Sequence, residues 1–124
     1  MSAMGRILIV DDNAASRDLL RHILKPLRQE VLEACQGNEA LDKIAEVEPD
    51  LVLLDIEMPV LDGFTVLRRL RENPRFSALP VIAVTANAMQ GDRERAVAEG
   101  FTAYITKPVS ATVVRDEVKR LLHL

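Results

Sequence analysis

The chain has 124 residues, with sixteen Lys and Arg against nineteen Asp and Glu for a formal charge of −3. It therefore has no overall electrostatic drive toward nucleic acid or anionic lipid, and DNA binding is disfavoured as its own activity. Residues 1–124 suit one compact domain, and 48% apolar with 28% charged residues is a globular balance without the hydrophobic depletion of disordered chains.

The opening "MSAMGR" lacks a basic run ahead of an apolar stretch, and no apolar run approaches the roughly 18 residues needed to span a bilayer. Cys35 is the only cysteine, so no internal disulfide can form. The expectation is a cytoplasmic protein with no membrane insertion.

The first predicted strand, "RILIV", is continuously apolar and ends on two adjacent carboxylates, Asp11 and Asp12. Asn13 caps the helix that follows, whose apolar face is Leu19, Leu20, Ile23, Leu24 and Leu27, and Pro26 ends it near Lys25. A weaker strand, "EVLEA", leads to Cys35, read as a small buried residue, and to a helix with Leu41, Ile44 and Ala45 on one face. The third strand, "DLVLL", delivers Asp55 into the turn "IEMPVLDG". Gly63 punctuates the chain before a helix with Phe64, Leu67 and Leu70, and the "RRLRENPR" cluster reads as the solvated face of that helix. The fourth strand, "PVIAV", ends on Thr85, and Gly91 and Gly100 punctuate the segment after it. A second weaker strand, "AYIT", ends on Lys107 and Pro108, before a helix with Val114, Val118, Leu121 and Leu122. His22 and His123 lie among ordinary amphipathic neighbours and read as surface or packing residues.

Continuously apolar strands alternating with helices call for an α/β domain with a parallel sheet covered on both faces. Ligands in such sheets bind at the carboxyl ends of the strands, beside the point where strand order reverses. Four strand ends here carry Asp11 with Asp12, Asp55, Thr85, and Lys107 with Pro108. Taken singly, each aspartate reads equally well as a helix cap or turn residue, Thr85 as a cap and Lys107 as a surface charge. Their conjunction says more. Two carboxylates about 4 Å apart repel by roughly 4 kcal/mol at an effective dielectric near 20, so positive charge must stand among them. Lys107 supplies part of it, and an all-oxygen ligand set favours a magnesium ion. Such a site suits phosphoryl transfer to a carboxylate, with Asp55 as nucleophile, Asp11 and Asp12 as the metal-holding pair, Thr85 as a hydrogen-bond donor and Pro108 aiming Lys107, with a cis bond as one way of doing so.

The stretches "ILIVDDN", "PDLVLLDIEMPVLDG", "LPVIAVTANAM" and "GFTAYITKPVS" together resemble the receiver domains of bacterial two-component response regulators, over essentially the whole chain. The wording is most similar to stand-alone cell-cycle regulators and the receivers of hybrid histidine kinases. The resemblance implies a flavodoxin-like, doubly wound (βα)5 fold with five parallel strands in the order 2-1-3-4-5. It further implies that Asp55 accepts a phosphoryl group from a phosphohistidine. Asp12 and Asp55 would ligate magnesium by side chain, Asp11 through water and Glu57 by its backbone carbonyl. Lys107 would contact the phosphoryl group, Thr85 would move to hydrogen-bond it, and Tyr104 would turn inward as Thr85 moves. Tyr104 also reads simply as a half-buried strand aromatic. Glu57 and Asn87 match positions that tune the lifetime of the phosphoryl group. The segment "LKPLRQEV" departs from the family pattern in lacking its glycine and aromatic pair.

These parts predict a switch: phosphorylation draws in Thr85 and Lys107, and the loop and helix after the fourth strand repack. The expected partners are a histidine kinase or histidine phosphotransfer protein as donor, a downstream effector protein, and a second copy of the chain in a phosphorylation-dependent homodimer. Their expected docking face is "ANAMQGDRERA" with the fifth strand and helix. The chain ends just after the fifth predicted helix, so it is expected to act by binding, as a single-domain regulator or phosphate shuttle; a receiver cut from a larger protein fits equally. The rival from another class is a magnesium-dependent phosphatase working through an aspartyl-phosphate, for which Glu57 is the only candidate general acid. A flavin-binding protein fits less well, because neutral, hydroxyl-rich and glycine-rich phosphate loops are missing at the strand ends.

Overall fold

The computed structural model describes residues 4–86 and 92–124. Asn87 and Gly91 lie outside the described residues, as does part of the expected docking face. The chain runs β1 (Arg6–Val10), α1 (Ala14–Leu24), β2 (Glu30–Ala34), α2 (Gly37–Val47), β3 (Leu51–Asp55), α3 (Gly63–Glu72), β4 (Val81–Thr85), α4 (Asp92–Glu99), β5 (Ala103–Thr106) and α5 (Ala111–Leu122), with 3-10 turns at Lys25–Leu27 and Pro74–Phe76. The five strands form one parallel sheet in the order β2-β1-β3-β4-β5. This is the flavodoxin-like arrangement, and the order reverses between β1 and β3.

The apolar runs are the central strands because those strands have no solvent side. Every residue of β3 and β4 is buried, whereas the two weaker sequence segments, β2 and β5, are the sheet edges and are only partly covered. Side-chain alternation divides the core in two. Ile7, Ile9, Leu51, Leu53, Ile82 and Val84 face α1 and α5, where Leu20, Ile23, Leu24, Val114 and Val118 meet them. On the opposite face Leu8, Val10, Val52, Leu54 and Ala83 meet Ile44, Phe64, Leu67 and Leu70. Each fully buried side chain of this size contributes roughly 1.5–3 kcal/mol of transfer free energy.

Capping residues set the helix starts. Asn13, Asp62 and Ser110 accept from Ser16 N, Thr65 N and Val113 N at 3.0, 2.8 and 3.4 Å. Gly63 is required where α3 begins: a Cβ there would lie 2.7 Å from Asp55 O and Ile56 Cα. Gly100, at φ +111, closes α4 in a conformation that L side chains rarely adopt. The connection lacking the expected glycine is made by Arg28, which takes the left-handed conformation itself at φ 57.

Several sequence expectations fail at the edges of faces. Leu19 is 50% exposed and Ala45 is exposed, because each lies about 100° around its helix from a buried neighbour, Leu20 or Ile44. Leu27 falls in the 3-10 turn after α1, from which it still packs against the same core as Leu20, Ile23 and Leu24. Cys35 is exposed, since it lies one residue beyond β2 in the turn to α2, where its N donates to Glu39 Oε1 at 2.6 Å. Arg71 does not belong to a solvated face: its guanidinium is half-buried and donates to Gly100 O at 2.9 and 3.2 Å and to Phe76 O at 2.9 Å. His22 and His123 are exposed, the latter as the left-handed C-cap of α5. At the β2 edge, Glu33 is bridged by Arg17 at 3.0 Å and Arg21 at 2.6 Å, and its carbonyl accepts from Lys43 Nζ.

Candidate functional site at the carboxyl edge of the sheet

Parallel register brings the strand ends to one edge. Val10 pairs with Leu54, Asp55 with Val84, and Thr85 with Thr106, so the residues singled out in the sequence surround the reversal between β1 and β3. Asp11, Asp55 and Thr85 are the buried polar residues of the described chain, at 1%, 4% and 1% exposure, while Asp12 is exposed. One carboxylate oxygen from each of Asp11, Asp12 and Asp55 lies within 4.8 Å of the others.

Buried carboxylates persist only with partners. Asp11 Oδ1 accepts from Asn13 N at 2.9 Å, and Asp55 Oδ1 accepts from Glu57 N at 3.0 Å. Lys107 reaches over the sheet edge and donates to Asp11 Oδ2 at 2.9 Å and Asp55 Oδ2 at 3.4 Å. The Lys107–Pro108 bond is cis, in the loop expected to aim the lysine. Burial, with the Asp11 carboxylate beside it, pushes the Asp55 carboxyl up to about 7 against the pull of the Lys107 ammonium. Burial alone would lower Lys107, but Asp11 and Asp55 outweigh it and hold the ammonium above the ordinary lysine value. One lysine thus leaves negative charge in excess. The donor set, all oxygen with two buried members, fits a small hard divalent cation that neutralises the excess.

Thr85 occupies the next strand end. Its hydroxyl donates to Glu57 Oε1, and Ala86 N donates to Glu57 Oε2 at 3.3 Å. The Glu57 side chain, expected to tune the lifetime of a phosphoryl group or, in the phosphatase reading, to act as general acid, is a structural partner of Thr85. Tyr104 pairs with Ala83, so it shares the sheet face of Thr85, two residues further along β4. It lies inward at 9% exposure, with the Arg93 guanidinium 5.1 Å from its ring centroid and no hydrogen-bond partner for its hydroxyl among the described residues. Burial, reinforced by Asp92 and Glu57, raises the Tyr104 phenol above its usual value.

Two supporting interactions escaped the sequence reading. Arg17 Nη1 donates to the Asp11 carbonyl at 2.6 Å, fixing the chain between the paired carboxylates. Val60 takes φ 69 with Leu61 N donating to Pro59 O at 2.8 Å, a γ-turn that folds the loop after Asp55 back toward α3. A valine with positive φ has no signature in the sequence, but "EMP" ahead of "DG" marks a constrained turn.

A family model described as the response regulator receiver domain matches residues 7–119. The sensor histidine kinase CheAY of Helicobacter pylori is 42% identical over 120 residues, covering 95% of this chain but 15% of the kinase. The polar-differentiation response regulator DivK of Brucella ovis is 39% identical, with 94% of each chain covered. Among solved structures, a putative response regulator from Chloroflexus aurantiacus superposes with a TM-score of 0.92 at 30% identity, covering 98% of this chain and 100% of the other. The receiver domain of a sensor histidine kinase from Pseudomonas aeruginosa, described with a magnesium ion coordinated in its active-site cleft, superposes with a TM-score of 0.88 at 31% identity, covering 98% and 100%. The chain belongs to the response regulator receiver domains of two-component signalling systems.

Proposed function

We propose that residues 1–124 work as one receiver unit in which Asp55 is the phosphoacceptor. The observation that carries this reading is the buried Asp11 and Asp55 pair bridged by Lys107 at the strand reversal, with Asp12 beside it. Asp55 Oδ attacks the phosphorus of a phosphohistidine or a small acyl phosphate. The bond from phosphorus to the donor atom breaks, its electron pair leaves with the imidazole or acetate, and an acyl phosphate forms on Asp55. Lys107 exchanges its carboxylate contacts for a phosphoryl oxygen, and Thr85 turns its hydroxyl to another. Asp11, Asp12, Asp55 and the Glu57 backbone carbonyl would hold magnesium, which when bound supplies the positive charge that the transferred group and the carboxylates require.

The donor is a histidine kinase or histidine phosphotransfer protein. The rim where it approaches carries exposed Leu19, Pro108 and Val113 around the Lys107 loop, an apolar margin suited to a helical partner. The output is a protein contact at α4, β5 and α5, made with an effector or with a second copy once Thr85 has responded beside Tyr104, whose ring is already inward. Cytoplasmic location accords with a lone cysteine, and no helix among the described residues is long and apolar enough to cross a membrane. The phosphatase reading has less support, because its only candidate general acid, Glu57, is engaged with Thr85 and Ala86.

Incubation with acetyl phosphate and magnesium, followed by intact mass measurement, tests the proposal. One added phosphoryl group on the wild-type chain and none on a folded Asp55→Asn chain is the expected result. Full labelling of Asp55→Asn refutes the acceptor assignment, and continuous release of phosphate from simple monoesters would favour the phosphatase.

A further inference from the structure

The Glu57 carboxylate is placed where an incoming phosphoryl group would compete with it. It reaches across from the loop after β3 to the end of β4, where one oxygen accepts from the Thr85 hydroxyl and the other from Ala86 N at 3.3 Å. The backbone of the same residue is bound to Asp55, through Glu57 N to Asp55 Oδ1 at 3.0 Å. Glu57 thus touches the acceptor with its main chain and the end of β4 with its side chain. A phosphoryl group presents anionic oxygens that seek strong donors, as a carboxylate does. Thr85 is 1% exposed and sits on the sheet face of Tyr104, so which anion its hydroxyl serves bears on how that side of the molecule packs.

We propose that Glu57 is a positioning residue: in the unphosphorylated protein it holds the Thr85 hydroxyl that the phosphoryl group requires, together with the adjoining Ala86 N–H, and phosphoryl binding must displace it. The inference rests on the reading of Asp55 as the acceptor. The displaced carboxylate has somewhere to go. A cavity of about 290 Å³ opens beside Glu57 and Thr85, lined also by Phe64 and by Asp92 and Arg95 of α4. The Arg95 guanidinium stands 3.9 Å from the Phe64 ring centroid, a cation on the cavity wall. Released from Thr85, Glu57 gains a charged donor carried by α4 in place of the neutral hydroxyl, and the exchange links the phosphorylated site to the helix that follows it.

The test is titration with beryllofluoride, a phosphoryl mimic, at saturating magnesium, read from the Thr85 and Ala86 amide resonances of the isotopically labelled chain. Glu57→Ala should bind the mimic about tenfold more tightly, the scale of one charge-assisted hydrogen bond. Before any mimic is added, its Thr85 and Ala86 resonances should already lie displaced toward their bound positions. In a Thr85→Ala background the gain from Glu57→Ala should fall by half or more. Affinity that is unchanged or weaker overturns the proposal. So does a tenfold gain undiminished by Thr85→Ala, which would reflect removal of a negative charge alone. Glu57→Gln, which cannot accept from both donors without turning its amide NH2 toward one, carries the same test with a smaller gain should the alanine variant fail to fold. A wild-type chain that takes up no beryllofluoride, or an Asp55→Asn chain that binds it equally well, would refute the acceptor reading and the inference with it.

Discussion

The helices α3 and α4 pack against each other on one face of the sheet, yet they are held there very differently. In α3, Gly63, Phe64, Val66, Leu67 and Leu70 are buried, and Gly63 presses against the backbone of Asp55 and Ile56. In α4, Ala96 is the buried residue and Val97 is 61% exposed. The first helix follows the carboxylate that performs the proposed chemistry; the second follows Thr85. A helix anchored by four large or branched side chains cannot move without opening a cavity, whereas one that buries a single alanine and otherwise lays arginines over the Tyr104 and Phe64 rings can be repacked at smaller cost. Rigidity at Asp55 and freedom after Thr85 are both written into side-chain size.

The greatest contrast should come from truncating each helix. Leu67→Ala is expected to lower unfolding free energy by about 2–5 kcal/mol in denaturant titrations, and Val97→Ala to change it by less than about 0.5 kcal/mol. Equal losses would break the comparison. Next in size is Arg71, which joins the two helices by donating from α3 to the Gly100 carbonyl at the end of α4. Arg71→Ala should cost about 1–3 kcal/mol, well above exposed Arg69→Ala, because it leaves half-buried carbonyls without donors. Amide exchange in α4 should accelerate more than in α3.

A third prediction concerns pH. The folded-state carboxyl of Asp55 is raised from 3.8 to about 7, so the metal-free native state binds a proton more tightly than the unfolded chain. Its contribution to stability is therefore full in acid and is lost as pH rises through about 7. Glu33, lowered by its bond to Arg21, and Glu39, lowered by its bond to the Cys35 backbone, act in the opposite sense only below their usual range near 4.5. Between pH 5 and 7.5, roughly the window left to Asp55, melting temperature should fall with rising pH in chelator and stay flat in Asp55→Asn. A wild-type slope that survives Asp55→Asn would assign the effect elsewhere. The smallest change belongs to the loop that fixes Asp55 against α3. Val60 is 95% exposed at φ 69, so Val60→Gly loses no packing and relieves backbone strain. Stability should rise, by up to about 1 kcal/mol once the greater entropy of the unfolded glycine is offset; a loss would mean that the turn tolerates valine without strain.

The acid half of the site was more legible in the sequence than the switch half. Asp11, Asp12, Asp55 and Lys107 each follow a strand whose apolar run identifies it, and parallel register alone brings such ends together. Glu57 could not be read in this way. Its bond to Thr85 joins the loop after β3 to the end of β4 and depends on the length of a glutamate arm, which periodicity does not describe. Leu19 and Ala45 failed for a related reason: spacing locates the middle of a helical face but not its margin. Arg71 shows the limit from the other side, since a basic cluster on a helix looks solvated until the loop that supplies its carbonyl partners is placed.

The paired arginines on Glu33 have a consequence for life at high concentration. An open sheet ends in a strand whose unpaired amides and carbonyls invite any passing strand to dock, the first step toward fibrils. At the β2 margin, Arg17 and Arg21 close on Glu33, and Lys43 takes its carbonyl. A foreign strand joining there would have to strip an ammonium from a carbonyl and crowd three cations, so this edge of the five-stranded sheet is a poor template for further pairing.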